Sequence, residues 1–487
     1  MENPGLIFKL RFAYIKNYSN IYVHIFILYN NTNGYNYLVL FQNKFMLGKN
    51  ASLTYGTLMS SGHQTVSNLI RRTGLSQPVL SRALNEIAHH TNRLVKHRQG
   101  RSIVYAISKA VRSLPVAIPV HQVAPTGIVS LMGTLTALEG GGYLYLAANE
   151  RSELFEGLPW FLQDMRPQGF IGRSFRDAYA HDLGLSDNLA EWTDDDVLYT
   201  LSEFGEDAPG NLLIGNNALR RFQAVDYGIQ VPPNNLAFHY DRMADAALQG
   251  GVPGSSAGGE HPKFLLQHKE NDGARNVIVK FSPLLDGSPT ATRWKDLLIA
   301  EHVASGTLGG FGIAVPDTRI VLTAKRCYLE SARYDRVGPK GRIAAASFEA
   351  IDNGFIGARS SWSASASALR AQGMITSDCE EQIKLVEQFG RCIANTDMHF
   401  GNLSFFLDMQ DAAVKLRLAP IYDMLPMLYA PEKSEVVDRI FKSPLPAEAG
   451  KAGELARLFW NDVASRDDVS GGFRKIAAAN AALLADR

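Results

Sequence analysis

The run CIANTDMHFGNLSFF, residues 392–406, and the run PIYDMLPM that follows it at residues 420–427 carry the densest chemistry in this chain. Asp397 and Asn402 stand in a D-x-x-x-x-N spacing, with His399 between them. Two strand-like runs follow, 403–407 and 414–418, joined around Gln410 and Asp411, and the chain then reaches Asp423. Carboxylate and amide oxygens are hard donors suited to Mg2+, which keeps several waters and bridges phosphates. Asn402 and Asp423 are therefore the metal candidates, and Asp397 and His399 the catalytic ones.

Upstream, GGVPGSSAGGEHPKF at residues 250–264 is a loop of small residues running into two β-like segments, 264–269 and 276–282. Asn271-Asp272-Gly273 between them is a strong hairpin turn. A glycine loop leading into a hairpin whose second strand ends in Lys280 can cover and pair phosphates. Gly258 and Gly259 let backbone N–H groups approach, and Lys280 supplies a point charge. Ser255, Ser256 and Lys263 belong to the same nucleotide-facing set. A helix is predicted over WKDLLIAEHV, residues 294–303, and carries Glu301, in the chain position where a helix-borne glutamate orients such a lysine. Each piece has an ordinary structural explanation: Asp397 capping a turn, Asn402 starting a strand, Asp423 pairing with an arginine, the loop a mobile surface segment. The order glycine loop, Lys, Glu, D-x-x-x-x-N, hairpin, Asp is what favours nucleotide-dependent phosphoryl transfer, with Asp397 taking the proton of the attacking hydroxyl.

Toward the N-terminus, VSNLIRRTGLSQPVLSRALNEIAHH reads as a helix, a turn at Gly74 and a second helix starting at Ser76 with Pro78 in its first turn. LVKHRQGRSIVYAIS adds two short strands, a hairpin wing. Residues 60–113 hold Arg71, Arg72, Arg82, Arg93, Lys96, Arg98, Arg101, Lys109 and Arg112 against the single acid Glu86, although the whole chain has a net charge of only +1. This is similar to a winged helix-turn-helix domain with DNA as partner. Ser76, Gln77, Ser81 and Arg82 would face base edges, while Arg71, Arg72, Lys96, Arg98 and Arg101 would neutralise phosphates. A helical bundle with a solvated basic face is the competing reading.

With 487 residues and 46% hydrophobic content the chain can bury several cores. Cys327, Cys379 and Cys392 are far apart with no CxxC spacing, which argues against a disulfide framework or zinc site and fits a reducing cytoplasm. No apolar run reaches the ~18 residues that cross a bilayer, so no membrane partner is expected. Residues 1–58, rich in Asn, Tyr, Ile and Phe, read as an atypical extension, with Met46 and Met59 as alternative starts. The acidic stretch 181–207, including Asp194, Asp195 and Asp196, reads as a solvated, helix-starting surface. Residues 114–125, with three prolines, read as a linker. The segment after it is β-leaning around Gly140 to Gly142, and helical patterns cover 174–201.

NTDMHFGNLSF with PIYDMLP, the loop SSAGGEHPKF, the strand VIVKF and ARYDR at 332–336 closely resemble the HipA-like serine/threonine kinases, toxin components of bacterial toxin–antitoxin modules. LYTLSEFGEDAPGNLLIG, residues 198–215, resembles that family's N-terminal lobe. The resemblance implies an α+β, two-lobed protein-kinase fold preceded by the small winged helix-turn-helix domain. The N-terminal lobe would cover residues 126–335 and the C-terminal catalytic lobe 336–487. It also implies an ATP- and Mg2+-dependent serine kinase with Arg333 and Tyr334 near the adenine, and autophosphorylation of the loop at Ser255 or Ser256 that disables ATP binding. His261 departs from the glutamine common in relatives. Relatives borrow DNA binding from a separate antitoxin protein, whereas this chain carries its own helix-turn-helix. Two other readings fit the residues: a DNA-binding regulator whose kinase-like domain senses a nucleotide, and a metal-dependent nuclease toxin.

Overall fold

The computed structural model describes residues 10–12, 24–30, 34–40, 47–100, 102–224, 235–249, 261–270, 273–408, 414–432, 435–442 and 446–485. It divides into two units, Met1–Lys109 with Leu138–Gly141, and Ala110–Ala137 with Gly142–Arg487.

In the first unit, helices Lys49–Ser61, Val66–Thr73 and Gln77–Thr91 enclose a core of Ala51, Leu58, Leu69, Leu80, Ala83, Leu84, Ile87 and Ile107. Thr65 starts the second helix by accepting the Asn68 N–H at 3.2 Å, and Gly74, at φ 68°, ends it with its N–H on the Ile70 carbonyl at 2.9 Å. That left-handed turn is open to glycine at little cost. Strands Leu94–Gln99 and Ser102–Ile107 then pair antiparallel, with Gln64–Thr65 on the far side of the second. The helix, turn, helix and hairpin lie where the sequence places them. The boundary of the expected extension needs correction: a cut at residue 58 falls inside the first helix, whose Ala51, Thr54 and Leu58 are fully buried. Its stripe of small and aliphatic residues closes the core under the other two helices.

The second unit opens with a five-stranded antiparallel sheet in the order Ser152–Phe155, Tyr143–Ala147, Val129–Ala137, Ile118–Val123, Leu212–Ile214. Half of the segment 114–125, Ile118–Val123, is thus strand rather than linker: Ile118 and Val120 alternate into the core, and Val123, past a bulge after Val120, is buried in a separate cluster with Leu213 and Phe222. Pro119 is tolerated because the pairing with Leu212–Ile214 begins only at Val120, so at 119 the strand has one neighbour. Helices Gly169–Leu183 and Asp194–Phe204 pack on the sheet through Phe175, Ala180, Val197, Leu198 and Leu201. The helical pattern over 174–201 is therefore two helices with a break. The acidic run does start the second: Thr193 and Asp196 form a capping box.

A four-stranded antiparallel sheet follows, ordered Lys263–Glu270, Gly273–Phe281, Cys327–Ala332, Thr318–Leu322. Along the second strand Val277, Val279 and Phe281 are buried against helix Leu236–Leu248. The pleat then turns Ile278 and Lys280 to the opposite face. Helix Pro289–Gly310, capped by Ser288, is longer than predicted and buried on nearly every side, including Asp296 and Glu301. The remainder is helical: Phe348–Phe355, Trp362–Ala371, Ser377–Cys392, Pro446–Ser465 and Gly471–Ala485. Strands Ala345–Ser347, Ser404–Asp408 and Lys415–Leu418 form a small sheet beside them. The cysteines are all buried and free.

Candidate active site

Helix Ser377–Cys392 delivers the chain to the decisive loop. It is capped by Thr376, which accepts the Cys379 N–H at 3.2 Å, and it ends before Ala394, at φ 60°. Gly390 near its end allows the loop to fold back, since a Cβ there would lie 2.2 Å from the Met398 sulfur. The loop then makes a short 3-10 turn, Phe400–Asn402, begun by His399, whose Nδ1 accepts the Gly401 N–H at 3.1 Å. Asn402 is buried, and its Nδ2 donates to the Asp397 carbonyl at 2.6 Å. The hairpin of Ser404–Asp408 and Lys415–Leu418 returns the chain to Asp423, a non-glycine residue at φ 59°. Positive φ in such a residue is a strained conformation that the surroundings must enforce.

These segments converge on Lys280. Its ammonium donates to both carboxylate oxygens of Glu301, at 2.7 and 2.8 Å, and to Asp423. Burial disfavours the Lys280 charge, yet the Asp423 and Glu301 carboxylates outweigh it and hold the ammonium above its ordinary range. Burial acts on Asp423 too, but the Lys280 and Lys263 charges bring its carboxyl down to about 2. For Glu301 burial wins and raises its carboxyl, with the Lys280 charge opposing and the Asp423 charge adding to the rise. Asp397 is exposed and also shifted upward, first by desolvation, with His399 opposing and Asp423 adding to the rise.

The other sequence-chosen residues separate into groups. Lys263 is buried, directly across the strand pair from Lys280, and its charge acts on Asp423. Tyr334 stacks on Tyr422 with ring centroids 5.7 Å apart, and the Tyr422 hydroxyl donates to the Gly401 carbonyl at 2.8 Å. Arg333 does not open toward a ligand. Its guanidinium is closed into a cluster with the buried Asp335, at 3.0 Å, and the half-exposed Asp207, at 3.1 Å, which Arg336 also joins. An arginine side chain held by two carboxylates is a structural tie. Ser255, Ser256, Gly258, Gly259 and Arg101 lie outside the described residues. Arg71, Arg72, Ser76, Gln77, Ser81, Arg82, Lys96 and Arg98 are all exposed, on the second and third helices and the hairpin of the first unit.

Two observations bear on whether these residues could hold a metal and a nucleotide. With Nδ2 of Asn402 engaged by a backbone carbonyl, the hard donor left on that amide is Oδ1. His261 stacks on Trp294 at 4.5 Å, and its Nε2 is buried without a hydrogen-bond partner. Burial, then the Lys280 and Lys263 charges, push its imidazole down to about 3, so the ring is neutral near pH 7. A residue the sequence reading passed over is Asn395, inside the decisive run itself. Its only signal is an Asn two positions before Asp397, where Asx side chains commonly bond the backbone two residues on.

The architecture is α+β, with Lys280, Glu301 and Asp423 bonded together and Asn402 tied to the backbone of Asp397, whose carboxyl feels the Asp423 charge. The family profile described as "HipA-like C-terminal domain" matches residues 255–480, and that described as "YjjJ-like toxin, middle domain" matches 114–223. Toxin YjjJ of Escherichia coli (strain K12) is 34% identical over 428 residues, covering 86% of this chain and 94% of that protein. The chain belongs to the HipA-like toxins, and among them to the YjjJ-like family. Among solved structures, HipA from a Shewanella oneidensis MR-1 toxin–antitoxin complex with HipB and operator DNA is 15% identical, covering 75% of this chain and 91% of that one, at a TM-score of 0.41. The Helicobacter pylori proinflammatory kinase CtkA is 14% identical, covering 47% and 89%, at 0.33.

Proposed function

We propose that the chain is an ATP- and Mg2+-dependent protein serine/threonine kinase acting as a growth-inhibiting toxin in the cytoplasm. The observation that carries this reading is Lys280 held two-pronged by Glu301 and bonded to Asp423 beside the Asp397–Asn402 loop. Lys280 pairs the phosphates of ATP, with Glu301 fixing the position of its ammonium. Asn402 and Asp423 hold Mg2+, which supplies charge neutralisation at the phosphates. Asp397, exposed beside this pair, accepts the proton of the attacking Ser or Thr hydroxyl while the γ-phosphoryl moves to that oxygen and ADP leaves. A raised carboxyl pKa suits this role, since it brings the base nearer the working pH. Ser255 or Ser256 is the proposed autophosphorylated residue.

The first unit is proposed to bind DNA, directly or with an antitoxin protein as further partner. The exposed basic residues around the helix from Gln77 to Thr91 and the following hairpin support it. Phosphopeptide mapping of the full chain after incubation with Mg-ATP tests the kinase reading. Phosphoserine or phosphothreonine on the chain or an added substrate supports it; a chain that binds Mg-ATP and yields no phosphopeptide contradicts it.

A further inference from the structure

A buried side chain bonds the backbone of both the catalytic loop and the metal loop. Asn395 is 4% exposed. Its Oδ1 accepts the backbone N–H of Asp397 at 3.1 Å, and its Nδ2 donates to the backbone carbonyl of Asp423 at 3.2 Å. Its own N–H donates to the Gly390 carbonyl at 2.9 Å, which anchors it to the end of the preceding helix. Both ends of the carboxamide are therefore used, one on the backbone of the proton acceptor and the other on the backbone of the metal carboxylate. Neither bond involves Lys280 or Glu301.

The bond to Asp423 falls on a residue at φ 59°, the conformation that most needs outside support. An Asn that only closed the helix end would have no reason to reach Asp423, 28 residues further on. We infer that Asn395 is a positioning residue: it fixes the Asp397 backbone against the Asp423 backbone, so that proton acceptor and metal carboxylate keep one relative geometry. This inference rests on the kinase reading above for its kinetic consequences, but its effect on metal binding stands apart from turnover. Groups one step behind a metal ligand commonly set its affinity through orientation.

The test uses full-length wild type, Asn395→Asp and Asn395→Ala. Asn395→Asp keeps the size and the acceptor for the Asp397 N–H but sets an oxygen against the Asp423 carbonyl; it decides the matter if Asn395→Ala fails to fold. Mn2+ affinity is read by electron paramagnetic resonance with a non-hydrolysable ATP analogue, ATP affinity without metal by calorimetry, and phosphoryl transfer by kcat and KM. Mn2+ affinity and kcat are each expected to fall about ten- to a hundredfold, while metal-free ATP affinity, set by Lys280 and Glu301, stays at the wild-type value. Variants that melt at lower temperature but retain wild-type Mn2+ affinity and kcat per folded molecule overturn the inference and leave Asn395 a packing residue. If the wild type binds Mn2+ and transfers no phosphate, the kinase reading fails, and the Mn2+ arm still decides the role of Asn395.

Discussion

Lys280 Nζ bonds both carboxylate oxygens of Glu301, at 2.7 and 2.8 Å, across 21 residues of sequence that include a strand end and the first turns of helix Pro289–Gly310. A two-pronged bond fixes direction as well as distance, so the ammonium is aimed before any ligand arrives. Glu301→Gln keeps the shape and removes the charge, leaving Asp423 to draw Lys280 to itself. The expected outcome is a loss of kcat/KM for ATP of about ten- to a hundredfold, by analogy with other orienting partners, measured as initial rates of phosphoryl transfer. A rate within a factor of ~2 of wild type would show that Lys280 needs no orientation.

Removing the lysine exposes the electrostatics of the cluster. Asp423 sits at about 2 in the fold, below its ordinary 3.8, so its contribution to stability is complete above 3.8 and is lost as pH falls toward 2. Glu301 is shifted the other way, so its buried charge opposes folding at neutral pH, and that opposition fades as it protonates. In Lys280→Met both carboxylates lose the ammonium they are bonded to and keep only the Lys263 charge nearby. The variant should be less stable than wild type by about 3 kcal/mol at pH 7, and the deficit should narrow toward pH 4. Denaturant melts of both proteins across that range check it; a deficit independent of pH would place the cost in packing instead.

Arg333 offers a contrast between structural and ligand-facing charge. It is 7% exposed and tied to Asp335 and Asp207, residues that Arg336 also engages. Arg333→Ala leaves Asp335 and the half-exposed Asp207 to Arg336 and should destabilise the second unit by about 1–3 kcal/mol. Well below the melting temperature the KM for ATP should not change. A raised KM in a folded variant would return Arg333 to the nucleotide site.

Much of this was readable from the chain. Alternation along 273–281 places Lys280 on the face opposite Val279 and Phe281, and the left-handed turn at Gly74 is announced by its residue type. Contacts between distant segments were not legible. Nothing near Arg333 announces Asp207, 126 residues away, and nothing in Asn395 announces Asp423. Pro119 misled because proline marks linkers by habit, and only the pairing pattern of its neighbours shows that the missing N–H is harmless there. The helix from Lys49 to Ser61 was hidden by the composition of what precedes it.

The basic surface of the first unit predicts a salt-sensitive partner. If Lys96 and Arg98, both exposed, contact phosphates, replacing either by Ala should weaken DNA binding at all sequences and reduce the slope of log affinity against log salt by about one. Fluorescence anisotropy at several salt concentrations measures both quantities. Affinity that is insensitive to salt would exclude a phosphate-binding face.

The most direct measurement of the central claim is transfer of labelled γ-phosphate from ATP by wild type and by Asp397→Asn at matched nucleotide occupancy. The account predicts label on a Ser or Thr with wild type, dependent on Mg2+, and loss of at least about a hundredfold in rate with Asp397→Asn, as for removal of a general base, while ATP still binds. Equal transfer by the two proteins, or no transfer by a wild type that holds Mg-ATP, would contradict it.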